Sequence, residues 1–175
     1  MARRLHSLAL VLSTGMYACV VPPPLQKDEP DAGNNAAPVI ISVRGPDGKE
    51  LKQTKPGSPI SVIRNQGDAT ITVYDADASD TIIVQGFVDY LESDTTGVRS
   101  SCMASATTDK SLERTLTCTM KGLCTASDTA AGNEHLLVFE VYDRPVTNDP
   151  LLFRSVAAPG KKSSLSYVIT CLESS

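Results

Sequence analysis

Apolar residues in this chain recur at every second position, in short runs separated by Gly, Pro, Asp and Ser, and that period dictates extended strands. In ATITVYD (69–75), Ile71 and Val73 face one way while Thr70, Thr72 and Tyr74 face the other. VIISVRG (39–45), PISVIR (59–64), HLLVFEVYD (135–143) and LSYVITCL (165–172) are further strands, and SLERTLTCTM (111–120) sets Leu112, Leu116, Cys118 and Met120 on one side. TIIVQGFVDYL (81–91) is long enough for a central strand, with Gly86 marking a bulge, and LLFRSVA (151–157) adds an edge strand. Long helical stripes are absent, so the crossover helices of a parallel α/β sheet have no sequence to form them. The expected fold class is all-β, an antiparallel β-sandwich. The rings of Phe87, Tyr90, Phe139, Tyr142 and Tyr167 lie on these strands, where filling the core is their default use.

Upstream of the strands, MARRLHS carries Arg3 and Arg4 and no acid, and leads into LALVLSTGMYA, an apolar run ending at Ala18. That is the layout of a secretory signal peptide, and the run falls short of the ~20 residues a membrane-spanning helix needs. After Cys19 comes VVPPPLQKDEPDAGNNAAP, whose Pro, Gly, Asn and acid content packs no core and reads as a disordered tether over 19–37. Residues 38–175 are then one domain. Met16, Tyr17, Ala18 and Cys19 resemble the lipobox of bacterial lipoproteins, with Met in place of the usual Leu and a bulky Tyr in place of a small residue. The resemblance implies cleavage after Ala18 and lipidation of Cys19. Val20 and Val21 in place of Asp imply outer-membrane sorting, and the alternative is an ordinary signal peptide with an incidental cysteine.

With Cys19 lipidated, Cys102, Cys118, Cys124 and Cys171 remain, an even number that in an exported chain reads as two disulfides with three possible pairings. A hairpin turning near Asp109 to Ser111 would set Cys102 opposite Cys118, leaving Cys124 for Cys171. Zinc is the rival use, and the spacing in CTMKGLC is not that of a zinc knuckle. Loss of Arg3 and Arg4 with the leader leaves 14 of the 16 basic residues against 20 acidic ones, a balance of −6 that argues against nucleic acid as a partner. The basic residues of KPGSP (55–59) and PGKKSS (159–164) read as turn material.

Three phrases, ATITVYDADASD, VQGFVDY and HLLVFEVYDRP, resemble the immunoglobulin-like superfamily in its bacterial forms, near polycystic-kidney-type, cadherin-like and fibronectin III modules. In those modules a strand ending in acidic turn residues precedes a core strand with a central aromatic, and the penultimate strand ends in a V-x-D phrase. Phe87 stands where many relatives carry Trp, which this chain lacks entirely, and the antibody-type intersheet cysteine pair is missing. The resemblance covers residues 38 to 173 and implies a fold, not an activity.

For chemistry, His135 is the only imidazole outside the leader, so any Ser–His–Asp arrangement would be built on it; a surface histidine at the start of a strand is the plainer reading. Asp75, Asp77 and Asp80 in one loop, with Asp143 ending another strand, are candidate calcium ligands, against the simpler reading as solvated turn acids. No other cofactor is expected. Glycoside hydrolysis and ring-stacking carbohydrate binding both suffer from an aromatic fraction of 5%. The functional expectation is a non-catalytic, lipid-anchored envelope protein that presents the 75–80, 92–101 and 143–150 loops to an unknown protein or surface partner. The alternatives are an accessory subunit of an envelope complex and a hydrolase using acidic residues and His135.

Overall fold

A computed structural model describes residues 35–90, 97–107, 111–130, 133–147 and 154–174. Every described residue belongs to the compact unit Gly33–Ser175. Cys19 and the leader therefore lie outside the described residues, as do 92–96 and 148–150 of the loops singled out above.

The described residues form eight strands: β1 (Val39–Arg44), β2 (Ile60–Ile63), β3 (Asp68–Tyr74), β4 (Ile82–Val88), β5 (Ser100–Ala104), β6 (Glu113–Thr119), β7 (His135–Tyr142) and β8 (Lys162–Leu172). One short 3₁₀ turn, Ala126–Thr129, precedes β7. The strands make a three-stranded sheet in the order β1-β3-β6 and a five-stranded sheet in the order β2-β8-β7-β4-β5. Only β2 against β8 is parallel. The fold is all-β and mostly antiparallel, consistent with an immunoglobulin-like sandwich.

Alternation builds the core. Ala69, Ile71 and Val73 of β3 and Leu116 and Cys118 of β6 turn inward from the small sheet, and Val84, Leu137, Phe139 and Ile169 turn inward from the large one. Each of the Val, Ile, Leu and Phe side chains among them contributes roughly 1.5–3 kcal/mol on full burial, which makes this layer the main source of cohesion. Thr70 and Thr72 are half-buried on the opposite face of β3, and Tyr74 is exposed.

Four local expectations are corrected. Gly86 is no bulge: it pairs in regular register with Ser100 and Phe139, and the irregularity lies in β1 between Ile40 and Ser42. What favours glycine is close approach, because a Cβ there would stand 3.1 Å from both Phe139 and Ser100 and those side chains would have to give by a few tenths of an ångström. Cys102 and Cys118 do not face each other in a hairpin, since β5 edges the large sheet and β6 edges the small one. Their disulfide, with Cα atoms 5.0 Å apart, joins the two sheets instead, beside the Ser100 hydroxyl that donates to the Thr119 carbonyl at 2.7 Å. Leu112 is exposed, and the position two residues on, in phase with Leu116, is the buried Arg114. Of the 151–157 edge strand, the described part makes a single bridge, Val156 to Val146. The second disulfide, Cys124–Cys171, fastens the segment before the 3₁₀ turn to β8, with Cα atoms 5.7 Å apart.

Candidate functional site

The sandwich has two poles, each closed by buried charge. At the pole where the chain enters, Arg114 reaches from β6 across the loop that follows β3. Its guanidinium donates to the Asp75 carboxylate at 2.8 Å, to the Asp77 carbonyl at 3.0 Å and to the Asp80 carbonyl. The side chains of Arg114 and Asp75 are 3% and 0% exposed. Arg144 stands 3.7 Å from the Asp80 carboxylate. Burial pushes the carboxyls of Asp75 and Asp80 up, against the pull of the two arginines, while hydrogen bonds from Ser79 hold that of Asp77 down. Asp143, fully buried, accepts the Lys161 amide at 2.8 Å on both oxygens and the side-chain amide of Asn35. Ser163 donates to the Pro38 carbonyl. The first described residues are thus stitched to the β7–β8 connection.

The four acids named as calcium candidates do share this pole, but Asp75 and Asp80 face the guanidinium groups of Arg114 and Arg144, Asp77 is bound by Ser79, and Asp143 is bound by the Lys161 amide and Asn35. Among the described residues no group of three or more His, Cys, Asp or Glu is placed to hold a metal ion. The 75–80 loop is also not the solvated turn that the sequence suggested. Asp75 and Asp80 are buried, and ordinary turn chemistry is confined to the Asp77 amide on the Asp75 carboxylate at 3.3 Å, the Asp80 amide on the Asp77 carbonyl at 3.3 Å, and the Ser79 amide and hydroxyl on the Asp77 carboxylate at 2.9 Å and 2.6 Å.

At the far pole, His135 opens β7 with a side chain only 11% exposed, a correction to its reading as a surface residue. Nδ1 lies 2.7 Å from the Asp89 carboxylate and Nε2 lies 3.0 Å from the Asp128 carbonyl. Both partners are acceptors, so the doubly protonated ring alone satisfies both bonds, and the Asp89 hydrogen bond leads in holding its pKa above the ordinary value. With both nitrogens engaged, this imidazole has none left to serve as a general base. The Asp128 carboxylate accepts the Thr125 amide and hydroxyl, each at 2.7 Å, and the Arg99 guanidinium. Burial opposes its ionisation, and those bonds outweigh burial and hold its carboxyl down. Arg99 also donates to the Leu123 carbonyl at 2.9 Å. At the rim, Glu173 joins Arg64, at 2.6 Å, to the Thr129 hydroxyl, at 2.7 Å.

A third cluster covers the outer face of the large sheet. Phe87 and Tyr142 alternate out of phase with the core positions of β4 and β7, so they face away from the small sheet. Phe87 stacks on Tyr90 at 4.8 Å between ring centroids, and the Arg154 guanidinium lies 3.6 Å and 4.0 Å from the two centroids. Such a stack is worth roughly 2 kcal/mol when desolvated. Glu140, 4% exposed, accepts the Tyr142 hydroxyl and pairs with Lys162 at 3.1 Å. Burial, with Glu140 beside it, pushes the Tyr142 hydroxyl far up. Of the five rings assigned to the core, Phe139 belongs to it, Tyr167 packs against it, and Phe87, Tyr90 and Tyr142 form this separate layer.

A cleft of about 210 Å³ lies between the turn after β1 and β2, lined by Lys49, Glu50, Lys52, Ser61 and Gln66 among others. It is smaller than the ~300–1,000 Å³ of small-molecule sites, and the charge pair on its lining, Lys49 with Asp47 at 3.4 Å, is solvent-exposed. Arg99, Asp89, Asp128, Arg154 and Glu140 escaped the sequence reading. Arg114 left a signal there, a charged residue in phase with Leu116, Cys118 and Met120.

No family model and no curated protein matches this chain. Among solved structures, the crystal structure of the periplasmic chaperone SfaE aligns at 14% identity over 66% of this chain, with a TM-score of 0.28. The chain spans about half, 53%, of that protein, and a superposition this loose bears on neither fold nor partner.

Proposed function

We propose that the chain is an exported, lipid-anchored envelope protein whose immunoglobulin-like sandwich is a non-catalytic binding module. The observation that carries the reading is the division of the cysteines. Four are consumed in two disulfides of the folded unit, and Cys19 stands apart at the end of a basic-then-apolar leader. Disulfides of this kind persist in exported proteins. A lipidated Cys19 followed by a Pro-rich spacer would hold the domain at a membrane surface, and several acyl chains give the durable attachment that one chain does not. A non-catalytic role is supported by His135, whose two nitrogens are both spent on structural bonds.

The partner is a protein or surface ligand of the bacterial envelope, with the outer membrane as the site of anchorage. The intact mass of the protein extracted from membranes tests the anchor. A chain beginning at Cys19, heavier by a diacylglyceryl group and lighter by four hydrogens, is the expected result. A full-length chain, or an unmodified Cys19 thiol, refutes it. Crosslinking in intact cells followed by co-purification tests the partner, and recovery of the protein alone at every crosslinker length counts against a binding module and against membership of a complex.

A further inference from the structure

We infer that the end of the small sheet beside the chain's entry is a docking face for the zwitterionic lipid interface in which the anchor sits. Val39 and Tyr74 are direct cross-strand partners on the outer face of β1 and β3, 51% and 41% exposed. Ile41, 49% exposed, stands out from the bulged stretch of β1, and Leu112, 37% exposed, lies at the start of the neighbouring strand, where its carbonyl accepts the Asp75 amide. Four large apolar side chains thus meet water at one end of a sheet whose remaining outer face is threonine-rich, with Thr70, Thr72, Thr115 and Thr117 paired across β3 and β6.

The occupant follows from where the chain outside this domain begins. Asn35 is bound to Asp143 and to the Pro159 carbonyl at 3.3 Å, and Pro38 is bound to Ser163, so the chain leaves the domain at this pole, four residues before Val39. Fifteen residues lie between Cys19 and Asn35. A flexible linker of that length has a typical reach of roughly 20 Å, which holds the pole near the bilayer at an effective concentration of the order of millimolar. A patch too weak to bind membranes from solution suffices under that condition. The flanking charges choose the lipid. Glu113 is paired with Tyr74 and Asp77 lies in the next loop, which disfavours an anionic surface, whereas tyrosine is at home at the headgroup level of a neutral one. The inference rests on the anchor proposed above.

The chain contains no tryptophan, so Tyr74→Trp gives a single-tryptophan protein whose emission is read selectively above the excitation range of tyrosine. The full-length protein, processed and reconstituted into phosphatidylethanolamine–phosphatidylcholine vesicles with brominated acyl chains, is compared with a Val98→Trp control, a 45% exposed site at the opposite pole. A blue shift and several-fold stronger quenching of Tyr74→Trp than of Val98→Trp are expected, both lost when Ile41→Asp is added. Equal quenching at the two sites, or quenching indifferent to Ile41→Asp, overturns the inference. So does a blue shift without lipid that grows with protein concentration, which would mark a second copy pairing along the β1 edge. Failure of the anchor is read separately, as failure to float with vesicles. In that case the Cys19 thiol is coupled to a maleimide-headgroup lipid, and the same comparison decides the docking face.

Discussion

Replacing Arg114 with Met removes the one cation that reaches all three acceptors of the 75–80 loop. Asp75 is then left as a fully buried carboxylate, with Asp80 and Asp143 adding their own negative charge. Removing one partner of a buried pair costs roughly 3–5 kcal/mol, because the surviving charge keeps its desolvation penalty and loses its compensation. For a domain of this size that is a fall in melting temperature of roughly 10–20 °C. The deficit depends on pH with a definite sign. Burial already raises the Asp75 carboxyl with Arg114 present, and loss of the guanidinium removes an influence that lowers it. A carboxyl whose folded-state pKa exceeds its unfolded value binds its proton preferentially in the folded state, so the variant regains stability as pH falls through that raised value. Urea unfolding at neutral and at acid pH, with the disulfides oxidised, measures both effects. Arg114→Lys should not restore the parent, since one ammonium does not reproduce the fork that serves Asp75, Asp77 and Asp80 together. A deficit below about 1 kcal/mol at neutral pH, the size of a surface pair, or one unchanged by acid, refutes the reasoning.

His135, with its pKa raised above 6.5 by Asp89, gives stability that is fully present below its unfolded value and is lost as pH rises through its folded value. The urea midpoint of the parent should therefore fall as pH rises from 6.5, and His135→Gln should flatten that slope; parallel profiles would exclude the clamp. The two disulfides should be unequal. Chain-entropy reasoning gives about 4 kcal/mol for the Cys124–Cys171 loop of 47 residues and about 3 kcal/mol for the Cys102–Cys118 loop of 16, so the double alanine variant of the longer loop should show the lower midpoint. Calcium at millimolar concentration should leave the melting temperature unchanged, because the carboxylates of Asp75, Asp77, Asp80 and Asp143 are already engaged by protein donors. A concentration-dependent rise would show that a cation displaces them.

The strands were legible because period two is a property of single residues. Ile71 and Val73 are buried and Tyr74 is exposed, as alternation alone requires. Pairing across sheets was not legible, since nothing local in SCMASATTDKSLERTLTC says that Ser100–Ala104 will join the large sheet and Glu113–Thr119 the small one. Gly86 illustrates a second limit: a missing side chain marks either a bulge or a tight approach, and only the positions of Phe139 and Ser100 distinguish them. The polar clusters were hidden for a related reason. His135 meets Asp89 from 46 positions away, and Arg114 meets Asp75 from 39, so their roles exist only once the strands that carry them are side by side.

The buried charges have a common task that explains why they stand at the ends and on the outer face. None of Asp75, Asp80, Arg114, Asp128, Glu140, Asp143 or Arg154 belongs to the apolar cluster between the sheets. Where a strand ends, its carbonyls and amides lose their ladder partners, and a buried loop must find others. Arg114 serves the carbonyls of Asp77 and Asp80, Arg99 serves that of Leu123, Asp143 serves the amide of Lys161, and Asp89 serves that of Leu136 at 2.9 Å. These side chains extend the order of the sheets into the loops. A partner that binds at either pole therefore meets a surface already held in shape and loses little conformational entropy in doing so. A variant that unfastens a pole should weaken such binding even where the altered side chain touches no partner, and the loss should track the local stability of the loop.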